Sequence, residues 1–297
     1  MFVAVGRSGN RWTVPLRYLV QAVQTVRYLG RARPAVVLAM APPFALPLLC
    51  RVVHRGVLVL DAHTGAVLRG GRVRRSFVWL ARRADIVVVA SESLRDRLVE
   101  DTGIHALAVH DPLPTGSGDL STPETASRGH QNGGGRVVYP AGWRSDEPVE
   151  AVLDAARRLP SVSFAITGRP PAGLAVPANV RLTGFLADDE YDELVRGADV
   201  VLALTTRSLT MQRAGYEALA HGRPLVASDT DVLREFFTRG TVFAAPTGES
   251  LAAAVEQALA EGDRLADEMG ALRDHRGVED DRAVAALREA IERRRAC

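Results

Sequence analysis

The sequence predicts an α/β protein made of two doubly wound halves, each a parallel sheet with helices on both faces. Three observations predict it. Short, mostly β-branched runs are apolar at consecutive positions, as strands buried on both faces must be. Longer amphipathic segments separate them, and this strand–helix alternation leads to parallel sheets. Around 116–135 the pattern stops in a Gly-, Ser-, Thr- and Pro-rich stretch almost free of large apolar residues, then resumes, so a flexible linker divides the halves.

In the first half, 1–115, the strand runs are Phe2–Val5, Ala35–Ala39, Val57–Leu60, Ile86–Ala90 and Ala106–Val109. Leu16, Leu19, Val20, Val23 and Val26 fall on one helical stripe with Arg17, Gln21 and Gln24 off it, and 72–83 and 92–100 also have helical spacing. In the second half, 136–277, strands are expected at Val137–Tyr139, Val162–Thr167, Val180–Leu182, Val200–Leu204, Pro224–Ala227 and Val242–Ala245. Helices are expected at 148–159, 187–197, 211–221, 230–236 and 249–261. A charged, Ala-rich helix over 278–295 makes a C-terminal segment, 278–297. Two such Rossmann-like halves facing each other create a cleft, and ligands bind at the carboxyl ends of their strands.

Composition narrows the function. The 297 residues carry 37 Lys+Arg against 35 Asp+Glu, a net charge of +2, without the basic excess of a duplex nucleic-acid binder. Every one of the 37 cations is arginine, which excludes Schiff-base chemistry and the Walker phosphate loop. Cys50 and Cys297 form neither a disulfide framework nor a zinc-ligand spacing, so a reducing cytoplasm is expected. Arg7 and Arg11 interrupt any signal-peptide layout. The most apolar stretch, Pro42–Leu60, is broken by Arg51, His54 and Arg55 and is too short to span a bilayer.

The segment Leu202–Asp231, LALTTRSLTMQRAGYEALAHGRPLVASDTD, carries the most chemistry. A buried strand ends at Thr205–Thr206, a short polar loop follows, and a helix is expected to begin near Thr210, which can cap it. A helix N-terminus suits a diphosphate through its free amides and its dipole. Arg207 and Arg213 flank the loop and can neutralise phosphate oxygens. Gly215 allows a close approach, Glu217 lies further along, and Gly222 followed by Pro224 ends the helix. The same residues also fit an ordinary strand–loop–helix with a salt-bridged glutamate.

This stretch resembles the nucleotide-binding segment of the large retaining glycosyltransferase family of the GT-B fold, family 4-like, also described as group 1. Its members typically end in E-A-[ML]-A-x-G-x-P-V-[VI]-A-S, matched by Glu217-Ala-Leu-Ala-His-Gly-Arg-Pro-Leu-Val-Ala-Ser228. The resemblance continues through Tyr139-Pro-Ala-Gly142, Phe164-Ala-Ile-Thr-Gly168, Val180-Arg-Leu-Thr-Gly-Phe185 and Ala198-Asp-Val-Val-Leu202, and the TTRSLTMQ variant is closest to a prokaryotic subgroup. It implies that Glu217 holds the ribose hydroxyls of a UDP- or GDP-type donor, a role two carboxylate oxygens can fill. The family's paired glutamate, eight positions earlier, contacts the donor sugar; here Leu209 stands there. Either an amide within Thr210, Met211 and Gln212 takes over, or the sugar is held differently, or activity is weak. The family's lysine after the first strand of this domain is also missing. Arg144, after Gly142 and beside Asp146 and Glu147, is the nearest candidate for the diphosphate.

In the first half, Val57–Leu60 runs into Asp61-Ala-His63-Thr-Gly65, a loose match to the T-x-H-G-like turn whose histidine lies against the donor sugar in the family. Asp61 shares a face with His63 on an extended segment and can orient or charge it, or instead cap the next helix. The resemblance also puts Ser8 and Gly9, in a turn that lacks dinucleotide-binding spacing, on the acceptor side. RVRRSFVWLARR, 72–83, has Val73, Phe77 and Leu80 on an inward stripe and Arg72, Arg75 and Arg82 elsewhere. It fits either a solvated outer helix or a basic helix on anionic lipid. Asp188-Asp-Glu190 opens a helix and has a structural explanation in the dipole.

The resulting expectation is a glycosyltransferase, hexosyl-type and metal-independent, with a nucleotide-sugar co-substrate, no cofactor, an unspecified hydroxyl-bearing acceptor and no nucleic-acid partner. Peripheral membrane contact would run through 72–83. The alternatives are a non-catalytic sugar-nucleotide-binding or partner subunit of the same fold, and a GT-B sugar-nucleotide epimerase.

Overall fold

The computed structural model of the chain describes residues 14–68, 70–113 and 134–296. Phe2–Val5, the turn with Ser8 and Gly9, and all of 116–135 except Gly134 and Gly135 lie outside these residues. The chain forms two compact units, Met1–His110 with Asp280–Cys297, and Asp111–Glu279.

In the first unit, strands β1 (Val36–Ala41), β2 (Val57–Ala62), β3 (Ile86–Val89) and β4 (Leu107–Ala108) pair in that order, all parallel. Helix α1 (Val14–Ala32) precedes β1, and α2 (Ala45–Val53) follows it. The sequence pattern leaves 45–53 unassigned. It becomes a helix because Leu46, Cys50 and Val53 fall on one face and close over Ala39 and Leu58. After β2 come α3 (Thr64–Val67) and α4 (Gly71–Ala81), and after β3 comes α5 (Glu92–Thr102). Ser91 Oγ caps α5 by accepting from the Leu94 amide, and Gly103, at φ 69°, ends it.

In the second unit, six parallel strands, β5 (Arg136–Tyr139), β6 (Ser163–Thr167), β7 (Val180–Gly184), β8 (Val200–Ala203), β9 (Leu225–Ser228) and β10 (Thr241–Ala244), lie in the order β10-β9-β8-β5-β6-β7. Consecutive residues feed opposite cores, which is why these runs have no polar face. Val137, Tyr139, Val200 and Leu202 enter one cluster, and Val138, Val201 and Ala203 the other. Helices α6 (Val149–Arg158), α7 (Asp188–Arg196), α8 (Arg213–Ala220), α9 (Asp231–Phe236) and α10 (Gly248–Ala260) cover the two faces.

The last helix differs from expectation. It begins at Gly262 rather than 278 and runs unbroken to Ala296 as α11. Leu265, Met269 and Leu272 are buried along one stripe and anchor its first part, which outweighs the roughly 1 kcal/mol that each interior glycine, Gly270 and Gly277, costs a helix. Leu287, Ala290 and Ile291, near its end, pack beside Val57, Val59, Ile86 and Val88 of the first sheet.

Candidate functional site

In the second sheet the strand order reverses between β5 and β8, and in open α/β sheets ligands bind outside the carboxyl ends at such a switch point. The loops leaving these two strands are bound to each other there. Asp146, 7% exposed, accepts from Thr205 Oγ1 at 3.2 Å through Oδ2 and lies 3.4 Å from Arg207 Nη2 through Oδ1. Its carbonyl accepts from the Thr206 amide at 2.8 Å and from Thr206 Oγ1 at 3.2 Å. Ser228, ending β9, accepts from the Thr205 amide through Oγ at 2.8 Å. On the other side, the Trp143 indole donates to the Thr167 carbonyl at 2.8 Å, while Trp143 sits at φ 55°. Gly168, at φ 84°, leaves no room for a side chain, since a Cβ there would lie 2.1 Å from the Ala141 carbonyl oxygen.

This lashing corrects the predicted helix start. Residues 206–212 are held as irregular chain and α8 begins at Arg213, with Gln212 extended at its N-cap (φ −105°, ψ 126°) and no side chain capping it, so Thr210 is not the cap. Leu209 and Met211 pack against the apolar cluster that holds Tyr216, Phe236 and Phe237, which pins the loop before the helix can begin. Among the described residues, no carbonyl accepts from the amides of Thr210, Met211 and Gln212. Gly222, at φ 60°, ends the helix with its amide on the Leu219 carbonyl. The close approach at Gly215 is made by the chain itself, as a Cβ there would lie 2.5 Å from the Phe237 ring.

All residues from Ala214 to Ala220 are buried, so Glu217, at 7% exposure, is a carboxylate inside an apolar helix. Such a group must be hydrogen-bonded to persist. Arg213 Nε donates to Oε1 at 3.0 Å, and the Tyr191 hydroxyl of α7 donates to Oε2. Burial and the Glu217 charge hold the Tyr191 phenol far above its ordinary pKa, so it remains a donor. The ordinary salt-bridged glutamate is therefore present in part, through Arg213. Sequence reading missed Asp146 and Tyr191, whose partners lie 59 and 26 residues away. Arg144 is exposed beside Gly142; its amide donates to Glu147 Oε2 at 3.1 Å, and among the described residues its guanidinium has no ion pair.

In the first unit, Asp61 is the penultimate residue of β2 and His63 follows the strand, their side chains 3.3 Å apart from Nε2 to Oδ2. His63 occupies the N-cap of α3 and its carbonyl accepts from Ala66 at 2.8 Å, so Asp61 does not cap that helix. A second such pair, not read from the sequence, joins Glu92 and His110 at 3.0 Å, and the hydrogen bond from His110 holds the Glu92 carboxyl down at about 2. Helix α4 buries Phe77, Leu80 and Ala81 and leaves Val73 half-buried, while Arg72, Arg75 and Arg82 are exposed. Arg83 stacks over the half-exposed Trp79 ring at 3.9 Å. Asp188, Asp189 and Glu190 fill the first turn of α7, where Glu190 accepts from the Ala187 amide at 3.1 Å. Among the described residues no group of His, Cys, Asp and Glu side chains gathers as a metal site, and no helix is long and apolar enough to cross a membrane.

Residues 135–261 match the family described as Glycosyl transferases group 1. No curated protein matches the chain significantly. Among solved structures, the chain is similar to Anabaena Alr3699/HepE in complex with UDP-glucose, at 17% identity and TM-score 0.70 over 90% of this chain and 82% of that one. A glycosyltransferase from Rickettsia africae has 14% identity and TM-score 0.67 over 98% and 84% of the two chains. Sucrose-phosphate synthase from Thermosynechococcus elongatus has 15% identity and TM-score 0.65 over 93% and 80%. The fold of two parallel-sheet units is that of GT-B glycosyltransferases, and the family match with this fold supports sugar transfer from a nucleotide-sugar donor.

Proposed function

We propose, from the premise that residues 135–261 belong to the glycosyl transferases group 1 family on a GT-B fold, that the protein is a metal-independent hexosyltransferase using a UDP- or GDP-linked sugar. The observation that carries this is the buried Glu217, one turn into α8 at the switch point of the second sheet, after Thr210, Met211 and Gln212, whose amides no carbonyl uses among the described residues. There it binds the ribose diol of the donor. Arg207, Arg213, Arg144 beside Gly142, and the Thr210, Met211 and Gln212 amides stabilise the departing diphosphate, which is how positive charge and helix amides replace a metal. His63, charged or oriented by Asp61, serves the chemical step at the sugar. The structure described for Anabaena Alr3699/HepE with UDP-glucose supports a uridine nucleotide as the first donor to try.

The test is a thermal-shift screen of UDP, GDP and their sugars. A ligand at 100 times its Kd stabilises by about 2.7 kcal/mol. Turnover of the stabilising donor should survive EDTA; loss restored by manganese or magnesium overturns the metal-free reading. The packing of Leu209 into the apolar cluster favours a second reading, a sugar-nucleotide-binding subunit without turnover. Donor consumption in the presence of cell extract separates the two.

The protein is cytoplasmic in this reading, with peripheral membrane contact through α4. The support is α4, which carries no acidic residue, with Trp79 46% exposed beside a depression of about 330 Å³ lined by Arg74, Arg75, Val78, Trp79, Arg82 and Arg83, where Arg74 pairs with Asp101 at 3.2 Å. Co-sedimentation with phosphatidylglycerol vesicles but not phosphatidylcholine vesicles, weakened by R75E/R82E, is the expected result; equal partition to both overturns it.

A further inference from the structure

We infer that Tyr191 is a positioning residue of the nucleotide site, holding Glu217 in the rotamer that grips both ribose hydroxyls, while Arg213 covers the carboxylate and moves to the diphosphate when nucleotide arrives. The inference deepens the ribose role of Glu217 and rests on it. The two donors on Glu217 differ in kind. Tyr191 is half-buried on α7, its ring packed on the cluster that also takes Leu194, Leu209 and Met211. Its single proton goes to Glu217 Oε2. Arg213 is the first residue of α8, its side chain 80% exposed, and it holds Oε1 at 3.0 Å. A long exposed arginine is released cheaply from an ion pair, whereas a phenol packed on an apolar cluster is not. A carboxylate has about four lone-pair positions, so with Oε2 fixed by Tyr191 and Oε1 vacated by Arg213 one acceptor on each oxygen meets a vicinal diol. A ligand lacking one hydroxyl leaves a desolvated acceptor unpaired, and this penalty exists only while the carboxylate cannot rotate away.

The experiment is calorimetric binding of UDP and 2′-deoxy-UDP, or of GDP and 2′-deoxy-GDP where the guanine nucleotide is the ligand, to the full chain and to Tyr191→Phe, Arg213→Ala and Glu217→Ala. The full chain should prefer the ribonucleotide about tenfold or more. Tyr191→Phe should weaken ribonucleotide binding about threefold to tenfold and shrink that preference toward unity, because the ring remains and only the hydrogen bond is lost. Arg213→Ala should weaken both ligands together and leave the preference intact. A folded Tyr191→Phe with unchanged affinity and preference overturns the inference. If Tyr191→Phe does not fold, Arg213→Ala decides, since collapse of its preference makes Arg213 the positioning partner and removes Tyr191. Unchanged ribonucleotide affinity in Glu217→Ala instead overturns the ribose reading itself, whatever Tyr191 does.

Discussion

Two carboxylates, Asp61 in the first unit and Glu217 in the second, are held in opposite ways. Asp61 lies at a strand end, its side chain 25% exposed, 3.3 Å from a His63 that is 37% exposed. Glu217 lies mid-helix, its side chain 10% exposed, with Arg213 on one oxygen and Tyr191 on the other. A half-exposed pair is held less firmly than a buried one and can change partners. A desolvated carboxylate is fixed by the donor that is itself packed in the core, here Tyr191, because losing that bond leaves a buried acceptor unpaired. The first arrangement suits a group that acts during a reaction, and the second suits one that recognises a ligand before it.

The sharpest way to break this contrast is at His63. His63→Ala should cut kcat by about 10²–10⁴-fold, the usual scale of an acid–base contact. It should leave nucleotide affinity unchanged, since Glu217 and its donors belong to the other unit. Near-normal kcat in the folded variant removes His63 from the mechanism. Asp61→Asn should cost less if Asp61 only orients the imidazole, and as much or more if it is the base. Glu217→Ala should do the reverse, weakening nucleotide binding by about 1.5–3 kcal/mol, the scale of a charged hydrogen bond, as read by calorimetry.

Gly215→Ala tests whether α8 is as tightly set as the Glu217 geometry requires. The new Cβ would meet the buried Phe237 ring, so denaturant unfolding should show a loss of about 1–3 kcal/mol. A neutral result means that the helix can shift.

Acid should separate the two units with the smallest effect. Burial lowers the His221 pKa below its ordinary 6.5, so below that pH the unfolded chain binds the extra proton first and the second unit loses stability as pH falls. Glu92, held at about 2 against an ordinary 4.5, gives the first unit stability that is full above about 4.5 and is lost as pH falls toward 2. In single-tryptophan variants, the Trp143 signal should weaken at higher pH than the Trp79 signal. Coincident acid transitions would refute this.

The sequence alone determined the α/β class, the strands among the described residues and the ends of most helices, because strands buried on both faces and amphipathic helices leave local patterns. Val200–Ala203 and the Gly222 stop after α8 are examples. It also singled out Asp61, His63 and Glu217. The tertiary structure decided what holds them. In the sequence Asp146 is only a charge beside Arg144, yet it ties the β5 and β8 loops together through Thr205, Thr206 and Arg207. Thr210 satisfies every local rule for a cap, but Leu209 and Met211 sink into the apolar cluster and delay the helix to Arg213. Gly215, read as room for a ligand, is filled by Phe237. Tyr191 meets Glu217 only because α7 packs on α8. Local periodicity carries the free energy of burial, which each segment expresses by itself. Pairing of polar groups across tens of residues depends on which surfaces the fold brings together, and no window of sequence contains both partners.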